Sequence, residues 1–210
     1  MTALLDGARA LALDLDEAQL ARLVAHLDLL DEWSARMNLT AIRDRPSQLT
    51  KHLLDSLTVQ PYLRGQRIAD VGSGAGFPGI PLAIVEPQRH FSLIESTGKK
   101  CRFLEHVRDE LQLKNVEIVQ ARAENYRPEV RFDTVVARAV GPLAGLLKAA
   151  GGLVVGGGRL LAMKGRYPQD ELAARLNGWK VAAVHPLVVP GLDEQRHLVE
   201  LVRSHERTGG

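Results

Sequence analysis

The chain has 210 residues, of which 45% are apolar and 25% charged, and this suffices for one large domain or a domain with an appendage. Its one cysteine, Cys101, excludes an internal disulfide framework and a zinc site built from cysteines, and no metal site is predicted. No uncharged apolar run approaches the roughly 20 residues of a membrane-spanning helix, and the first fifteen residues lack the order of a signal peptide. We therefore expect a cytoplasmic protein that has no membrane partner.

The net charge of +2 is unevenly distributed along the chain. Residues 1–60 contain 6 Lys/Arg against 9 Asp/Glu, whereas the remainder contains 21 against 16. A polyanionic partner is therefore expected to contact the C-terminal portion. Aromatic residues make up only 4% of the chain, which argues against a stacking-platform binder of single strands.

Helical periodicity dominates the beginning of the chain. Apolar residues recur at three- and four-residue steps over residues 16–36, and Asp16 with a glutamine three positions later provides a capping-box start. A second helix is predicted over residues 47–59, before a proline. We interpret residues 1–64 as an N-terminal cap of two acidic helices, and residues 65–210 as a core that forms one compact unit.

After the cap, short apolar runs alternate with helical stretches. The runs predict seven strands, near residues 67–71, 90–94, 116–120, 133–137, 158–163, 179–188 and 196–203. Helices are predicted between the first five strands, which implies right-handed crossovers and a parallel sheet covered on both faces. Only a turn separates the last two strands, which therefore form an antiparallel hairpin at one edge. This α/β arrangement resembles the Rossmann-like fold of class I S-adenosylmethionine-dependent methyltransferases.

The segment DVGSGAGFPG, residues 70–79, lies directly after the first predicted strand and before a helix. Its glycines let the backbone turn tightly and approach a ligand, and the following helix offers free amides. A dinucleotide fingerprint would need glycine at position 77, which is Phe77, so hydride transfer is disfavoured. The D-x-G-x-G-x-G form instead resembles motif I of the methyltransferases, which implies that Gly72 and Gly74 contact S-adenosylmethionine. The alternative is a glycine-rich turn that serves packing alone.

Three further residues suit the adenosine part of such a cofactor. Glu95 ends the second predicted strand, where a carboxylate can accept hydrogen bonds from both ribose hydroxyls. Ala123 and Glu124 follow the third strand, where a loop would lie over the adenine. For each glutamate, a solvated surface side chain is the alternative.

The end of the fourth predicted strand narrows the reaction. Amine methyltransferases carry an Asn/Asp-Pro-Pro-aromatic tetrapeptide at this point, where the present chain has Arg138. An amine acceptor is therefore disfavoured. Methylation at pyrimidine carbon 5 needs a nucleophilic cysteine, whereas Cys101 lies in mid-helix and is interpreted as a structural residue. Guanine N-7 already presents a lone pair, so methyl transfer to it requires positioning more than a general base. The sequence therefore favours an acceptor of this kind.

Longer stretches carry a more specific resemblance, which extends over nearly the whole chain. They are Trp33 with MNLTAIRD (37–44), KHLLDS (51–56), DVGSGAGFPGIPLAI (70–84), ARA (137–139), MKG (163–165) and EQRHL (194–198). These segments are similar to the glucose-inhibited division protein B family, the ribosomal small subunit methyltransferase G. The resemblance implies methylation of guanine N-7 in the decoding-region loop of 16S rRNA, with S-adenosylmethionine as cofactor. It also implies cofactor contacts at Gly72, Phe77, Ala123, Glu124 and Arg138.

Residues that contact RNA are predicted without assigned roles. Polar residues on the cap or near strand ends lie where open α/β sheets bind ligands, and their lysines and arginines suit phosphate contacts. The candidates are Asn38, Lys51, His52, Asp55, Arg138, Lys164, Arg196 and His197. Of these, Asn38, Arg138 and Lys164 are candidates for positioning the acceptor, and no catalytic base is identified. The alternatives are that His52 bonds Asp55 or Ser56 within its helix, and that His197 is structural.

Two other functions remain open at this point. A small-molecule methyltransferase would share every cofactor residue, and a non-catalytic module could sense S-adenosylmethionine and bind RNA. The weakly basic composition favours a folded RNA surface, so the expected partner is 16S rRNA or a small-subunit assembly particle. We expect a monomer with weak binding to naked RNA.

Overall fold

Helices precede and flank a mixed β-sheet. The computed structural model describes residues 2–204; residue 1 and residues 205–210, assigned above to cap and core, lie outside the described residues. The helices are α1 (Thr2–Ala10), α2 (Glu17–Ser34), α3 (45–57), α4 (Gly79–Val85), α5 (Gly98–Glu110), α6 (Leu143–Ala150) and α7 (Gln169–Leu172). The strands are β1 (Arg67–Val71), β2 (His90–Glu95), β3 (Val116–Gln120), β4 (Phe132–Arg138), β5 (Val154–Lys164), β6 (Trp179–Leu187) and β7 (Arg196–Arg203).

The seven predicted strands form one sheet in the order β3-β2-β1-β4-β5-β7-β6. The first five strands are parallel, with Ile68 of β1 opposite Phe91 of β2 and Thr134 of β4. Strand β7 runs antiparallel between β5 and β6, so the predicted C-terminal hairpin is confirmed. This topology brings the carboxyl ends of β1, β2, β4 and β5 to one edge of the sheet, where ligands bind in open α/β folds.

One predicted helix, between β3 and β4, is wrong. The connection over residues 121–131 contains only a short 3-10 turn, Ala123–Asn125. Pro128 interrupts this connection, and it has no run of apolar residues at helical spacing that could cover the sheet. The face of the sheet near this turn is instead packed by α6.

The cap differs from the prediction in its number of helices. Helix α2 has the predicted capping box, in which Asp16 Oδ1 accepts from the Gln19 amide at 2.7 Å. Helix α1 was not predicted, and it packs Gly7 so closely on Leu54 that a Cβ there would lie 2.5 Å from a methyl carbon. Helix α3 starts two residues earlier than predicted, at Arg45, because Asp44 caps it, and its middle part, Leu49–Leu54, is π-helical.

The cap packs on one face of the sheet. Leucines of α2 and α3 form one apolar cluster with Ile80 of α4 and Phe103 of α5. A second cluster, on the opposite face, joins α6 to β5 and to Trp179 of β6. Because the first cluster draws on cap and sheet alike, burial of these side chains stabilises the two together. Within residues 2–204, no helix is both long enough and apolar enough to cross a membrane.

Candidate active site

The loop between β1 and α4 has a backbone conformation that requires glycine. Gly72 and Gly74, the two predicted cofactor contacts, have positive φ values of 70° and 57°. Side chains with a Cβ are disfavoured in this region of φ. The Gly72 amide donates to the carbonyl of Ile94 in β2 at 2.8 Å, which fixes the loop over the neighbouring strand.

Asp70 holds the two ends of this glycine loop together. It is fully buried at the end of β1, and its Oδ2 accepts from the amide of Gly79 at the start of α4, at 2.9 Å. A Cβ on Gly79 would lie 2.6 Å from Asp70 Oδ2, so only glycine allows this approach. Burial raises the pKa of Asp70 to about 7, against the opposing effect of the Gly79 hydrogen bond. This supporting role of Asp70 is not evident from the sequence motif alone.

Glu95 lies beside the loop at the end of β2. Its Oε2 accepts from the Gly74 amide at 3.0 Å, and its Oε1 accepts from the Thr97 amide at 2.8 Å. Partial burial raises the pKa of Glu95, but the Thr97 and Gly74 hydrogen bonds more than offset this, and the pKa lies below its usual value. The carboxylate is thus ionised at neutral pH. Each oxygen keeps a further lone pair that can accept from a hydroxyl group.

The predicted adenine loop lies next to Glu95. Ala123 is buried and Glu124 is exposed in the 3-10 turn that follows β3. The Ala121 amide donates to the Glu95 carbonyl at 3.0 Å and joins the two segments. Glycine backbone, an ionised carboxylate and this turn therefore meet at one edge of the sheet. This set of groups fits a nucleoside cofactor with a ribose diol, such as S-adenosylmethionine.

Phe77 follows the last glycine of the loop and packs against two imidazole rings and one guanidinium group. These residues, hereafter the Phe77 cluster, are His26, His52, Phe77 and Arg138. The rings of His26 and His52 each stack on Phe77 with centroids 4.5 Å apart, and the Arg138 guanidinium lies 5.3 Å from the ring centroid. Both histidines come from the cap. The cap therefore contacts the residue predicted to touch the cofactor.

The two histidines of the Phe77 cluster are neutral. His26 is fully buried and its Nε2 donates to the Ala75 carbonyl at 2.9 Å; burial lowers its pKa to about 3. Burial and the nearby Arg138 lower the pKa of His52 to about 4. The His52 ring bonds Thr40 at 2.9 Å, so the alternative of a bond to Asp55 or Ser56 is wrong for the imidazole, although the Ser56 hydroxyl donates to the His52 backbone carbonyl at 2.5 Å. Thr40 lies 12 positions before His52, in the loop that precedes α3, so the spacing of residues along the helix could not predict this contact.

A cavity of about 490 Å³ opens at the ends of β4 and β5, next to the Phe77 cluster. We call it the β4–β5 pocket. Its apolar wall includes Leu146, Met163 and Leu187. Its polar lining contains all but one of the predicted RNA-contacting residues, namely Lys51, His52, Asp55, Arg138, Lys164, Arg196 and His197. The exception is Asn38, which is exposed in the loop between α2 and α3 and does not line the pocket.

Asp55 forms the centre of the charges in this pocket. Its side chain is buried, with Oδ2 accepting from Arg138 Nη1 at 3.2 Å and Oδ1 lying 3.3 Å from Arg196 Nε. Arg138 Nη1 also donates to the carbonyl of Lys51, at 3.0 Å. Burial raises the pKa of Asp55, while the two arginines oppose the increase. The carboxylate thus joins the cap to the ends of β4 and β7.

The lysines at the pocket have carboxylate partners within the protein. Lys164 Nζ lies 2.8 Å from Glu171 Oε2 and donates to the Gly141 carbonyl at 2.7 Å, while Lys51 Nζ lies 2.6 Å from Glu194. The Lys51–Glu194 pair is the more exposed of the two, and exposed ion pairs contribute only about 0–1 kcal/mol, so a phosphate can replace the Glu194 carboxylate. Glu171, which no sequence motif marks, also accepts from the Leu143 amide of α6 at 2.6 Å.

The one cysteine of the chain lies in α5, close to the end of β2. Cys101 is buried in α5, its Sγ lies 3.3 Å from the Glu95 carbonyl, and burial raises its pKa. A buried thiol of this kind is a poor nucleophile. Across residues 2–204, no three His, Cys, Asp or Glu side chains are grouped so as to hold a metal ion.

Some known proteins are similar to this chain in sequence, and others are similar to it in fold. A family model described as rRNA small subunit methyltransferase G (GidB) matches residues 19–199. The relatives that carry the name Ribosomal RNA small subunit methyltransferase G include one from a Xanthomonas and one from a Marinobacter species. That of Xanthomonas campestris pv. campestris (strain 8004) is 49% identical over 197 residues, covering 94% of this chain and 92% of its own length. That of Marinobacter nauticus is 45% identical over 199 residues, covering 95% and 93%.

Solved structures with low sequence identity share the fold alone. The glycopeptide N-methyltransferase MtfA in complex with S-adenosylmethionine has a TM-score of 0.63 at 13% identity, covering 73% of this chain and 87% of its own. The mitomycin 7-O-methyltransferase MmcR has a TM-score of 0.56 at 16% identity, covering 72% and 54%. The predicted class I methyltransferase fold is thereby confirmed.

Proposed function

The chain belongs to the rRNA small subunit methyltransferase G family, and from this premise we propose that it methylates N-7 of a guanine in the decoding-region loop of 16S rRNA. It is an S-adenosylmethionine-dependent methyltransferase, which sets aside a non-catalytic module. The observation that carries the choice of acceptor is the position of the β4–β5 pocket. Arg138 lines this pocket and also contacts Phe77 of the glycine loop, so acceptor and cofactor would meet at this side chain.

The cofactor is proposed to lie over the glycine loop. The loop amides and Phe77 hold it, Glu95 accepts from its ribose hydroxyls, and the turn at Ala123 and Glu124 covers its adenine. When bound, S-adenosylmethionine supplies an electrophilic methyl group on a sulfonium. The buried Asp70 and the stacked histidines keep the loop in one conformation, which limits the conformational entropy lost on binding.

The acceptor base is proposed to enter the β4–β5 pocket. The apolar wall suits the faces of a purine, and arginine donors suit the O6 acceptor of guanine. Guanine N-7 carries no proton, so the positive charge passes from the sulfonium to the base without a side chain acting as a base. The protein's contribution is then to align the lone pair with the methyl group. Arg138 and Lys164 are the proposed positioning residues at the pocket, and Asn38 is proposed to act from the neighbouring cap loop.

The surrounding RNA is proposed to bind around the mouth of this pocket. Lys51, Lys164 and Arg196 would contact phosphates, and His52 and His197 would shape the base-binding wall. Phosphate contacts of this type fix the register of the RNA without reading its sequence. We also propose that the protein works in the cytoplasm as a monomer, on 16S rRNA or on a small-subunit particle.

The proposal is tested by the 16S rRNA of a strain that lacks this protein. Borohydride and aniline cleave RNA at 7-methylguanosine, and primer extension then locates the break. We expect a stop in the decoding region of wild-type rRNA that is absent from the deletion strain and returns when the wild-type protein is supplied. An unchanged pattern in the deletion strain would refute the proposal.

A further inference from the structure

An exposed aromatic ring lies beside the β4–β5 pocket. The chain contains four Phe, two Trp and three Tyr, all within residues 2–204. Among them only Tyr167 is exposed, with 52% of its surface accessible to solvent. It lies just after Lys164 and Gly165, on the segment that leads from β5 to α7. The low aromatic content noted above therefore includes one ring placed at the candidate active site.

The Tyr167 ring is held in place by the pocket wall. It contacts the ring of His197 edge to face, with centroids 5.5 Å apart and an interplanar angle of 82°. His197 lines the pocket, and its Nδ1 donates to the Gly165 carbonyl at 3.0 Å. An edge-to-face contact covers at most one face of a ring. With 52% of its surface accessible to solvent, the Tyr167 side chain is available for a further contact, and His197 orients its ring.

The surroundings of this ring suit a nucleic acid strand. Arg166 is exposed and, within the described part of the chain, has no carboxylate within 4.0 Å. Lys164 and Arg196 lie on the adjoining pocket wall. A base that enters an enzyme pocket leaves its neighbours in the strand without a stacking partner. Single-stranded RNA is commonly recognised by stacking such bases on aromatic side chains.

Resting on the proposed function, we propose that Tyr167 stacks on an unpaired rRNA base next to the guanine held in the β4–β5 pocket. The interaction uses the face of the phenol ring and does not depend on its hydroxyl group. It contributes to RNA binding rather than to the chemical step, because the ring is not among the residues that line the pocket.

The experiment measures methyl transfer from S-adenosylmethionine to small ribosomal subunits purified from the deletion strain. It compares the wild type with Tyr167→Ala, Tyr167→Phe and Tyr167→Leu. The matched control is Val130→Ala, which shortens another exposed apolar side chain, 56% accessible, near Arg67 at the opposite end of the sheet. Melting temperature and S-adenosylhomocysteine binding establish that each variant is folded.

We expect Tyr167→Ala to raise the KM for subunits by about five- to 150-fold, the range for one base stacked on an aromatic ring. The kcat and the KM for S-adenosylmethionine should stay unchanged, since only uniform binding is lost. Tyr167→Phe and Val130→Ala should behave like the wild type, and Tyr167→Leu like Tyr167→Ala.

Three outcomes would overturn the inference. The first is an unchanged KM in Tyr167→Ala while the wild type is active, which leaves the proposed function intact. The second is a wild-type KM in Tyr167→Leu, which would indicate a general apolar contact, such as one with a ribosomal protein, in place of stacking. The third is a wild type that does not methylate the subunits, which would refute the proposed function and this inference together.

Discussion

At the level of single residues, Arg138 at the end of β4 joins the glycine loop to helix α3. It contacts Phe77 of the glycine loop, the Asp55 carboxylate and the backbone carbonyl of Lys51. The sequence placed it after β4, where the family resemblance implies a cofactor contact. Its partners in α3 could not be predicted, because they are 83 and 87 positions away along the chain.

The Asp55–Arg138 pair should be energetically coupled. Arg138→Ala leaves the buried Asp55 carboxylate with Arg196 alone, and Asp55→Asn removes the charge that the arginine faces. In a double-mutant cycle, we expect the double variant to be more stable than the sum of the single losses by about 0.5–3 kcal/mol. Urea unfolding of the four proteins gives this value. Strictly additive losses would show that the two side chains do not interact.

The pH dependence of stability should reveal that the folded protein keeps His26 neutral. Its pKa is lowered by burial from 6.5 to about 3, so the folded state holds it neutral while the unfolded state takes up a proton below pH 6.5. Its contribution is therefore present above pH 6.5 and is lost as the pH falls toward 3. The slope for one proton is about 1.4 kcal/mol per pH unit.

The measurement compares the free energy of unfolding of the wild type and His26→Gln from pH 7.5 to pH 5. Glutamine keeps an N–H donor for the Ala75 carbonyl but does not titrate. We expect the stability difference between the two proteins to fall with the slope given above once the pH is below 6.5. A difference that stays constant over this range would mean that His26 is not held neutral.

At the level of elements, periodicity in sequence is the strongest source of prediction. All seven strands and helix α2 were predicted because each buries an apolar run or stripe of its own. Helix α1 was not predicted, because its sequence, TALLDGARA, is short and contains a glycine. This residue, Gly7, allows the close contact with Leu54. Likewise, the pairing of Lys164 with Glu171 depends on how the segment after β5 folds back, which residue types alone do not specify.

The start of α4 should tolerate no side chain larger than glycine's. Gly79→Ala places a Cβ 2.6 Å from Asp70 Oδ2, and the shift needed to relieve this contact would disturb the glycine loop. The matched control is Gly145→Ala in α6, where a Cβ would meet nothing within 4 Å. We expect Gly79→Ala to weaken S-adenosylhomocysteine binding and to lower stability.

For Gly145→Ala, we expect unchanged cofactor binding and a gain in stability of about 0.5–1 kcal/mol, because alanine is the better helix former. Isothermal titration and urea unfolding measure both quantities for both variants. Equal behaviour of the two variants would contradict the role given to the Asp70–Gly79 contact.

At the level of the whole molecule, we propose that the cap, residues 1–64, and the core, residues 65–210, unfold together. Their shared apolar cluster and the contacts of Asp55 with two core arginines support a single cooperative unit.

The two tryptophans report on the two parts, because Trp33 lies in α2 and Trp179 in β6. Single-tryptophan variants Trp33→Phe and Trp179→Phe should therefore show urea transitions with the same midpoint, after correction for the stability of each variant. Separate transitions within one protein, seen by circular dichroism, would show that the cap is an independent domain.

The cap also explains how a chain with a net charge of only +2 can act on rRNA. It brings Lys51 and Asp55 to the β4–β5 pocket, so that cations from cap and core surround one opening. Such a local patch predicts preference for a folded RNA surface, with weak binding to arbitrary single strands. Tight, salt-insensitive binding to an unrelated single-stranded RNA would contradict it.

The most direct measurement is methyl transfer by the purified protein. Small ribosomal subunits from the deletion strain are incubated with S-adenosylmethionine and the wild-type protein, and the 16S rRNA nucleosides are then identified by mass spectrometry. We predict the appearance of 7-methylguanosine within the decoding-region fragment, dependent on both protein and cofactor. No new methylated nucleoside, or one other than 7-methylguanosine, would contradict the proposed function.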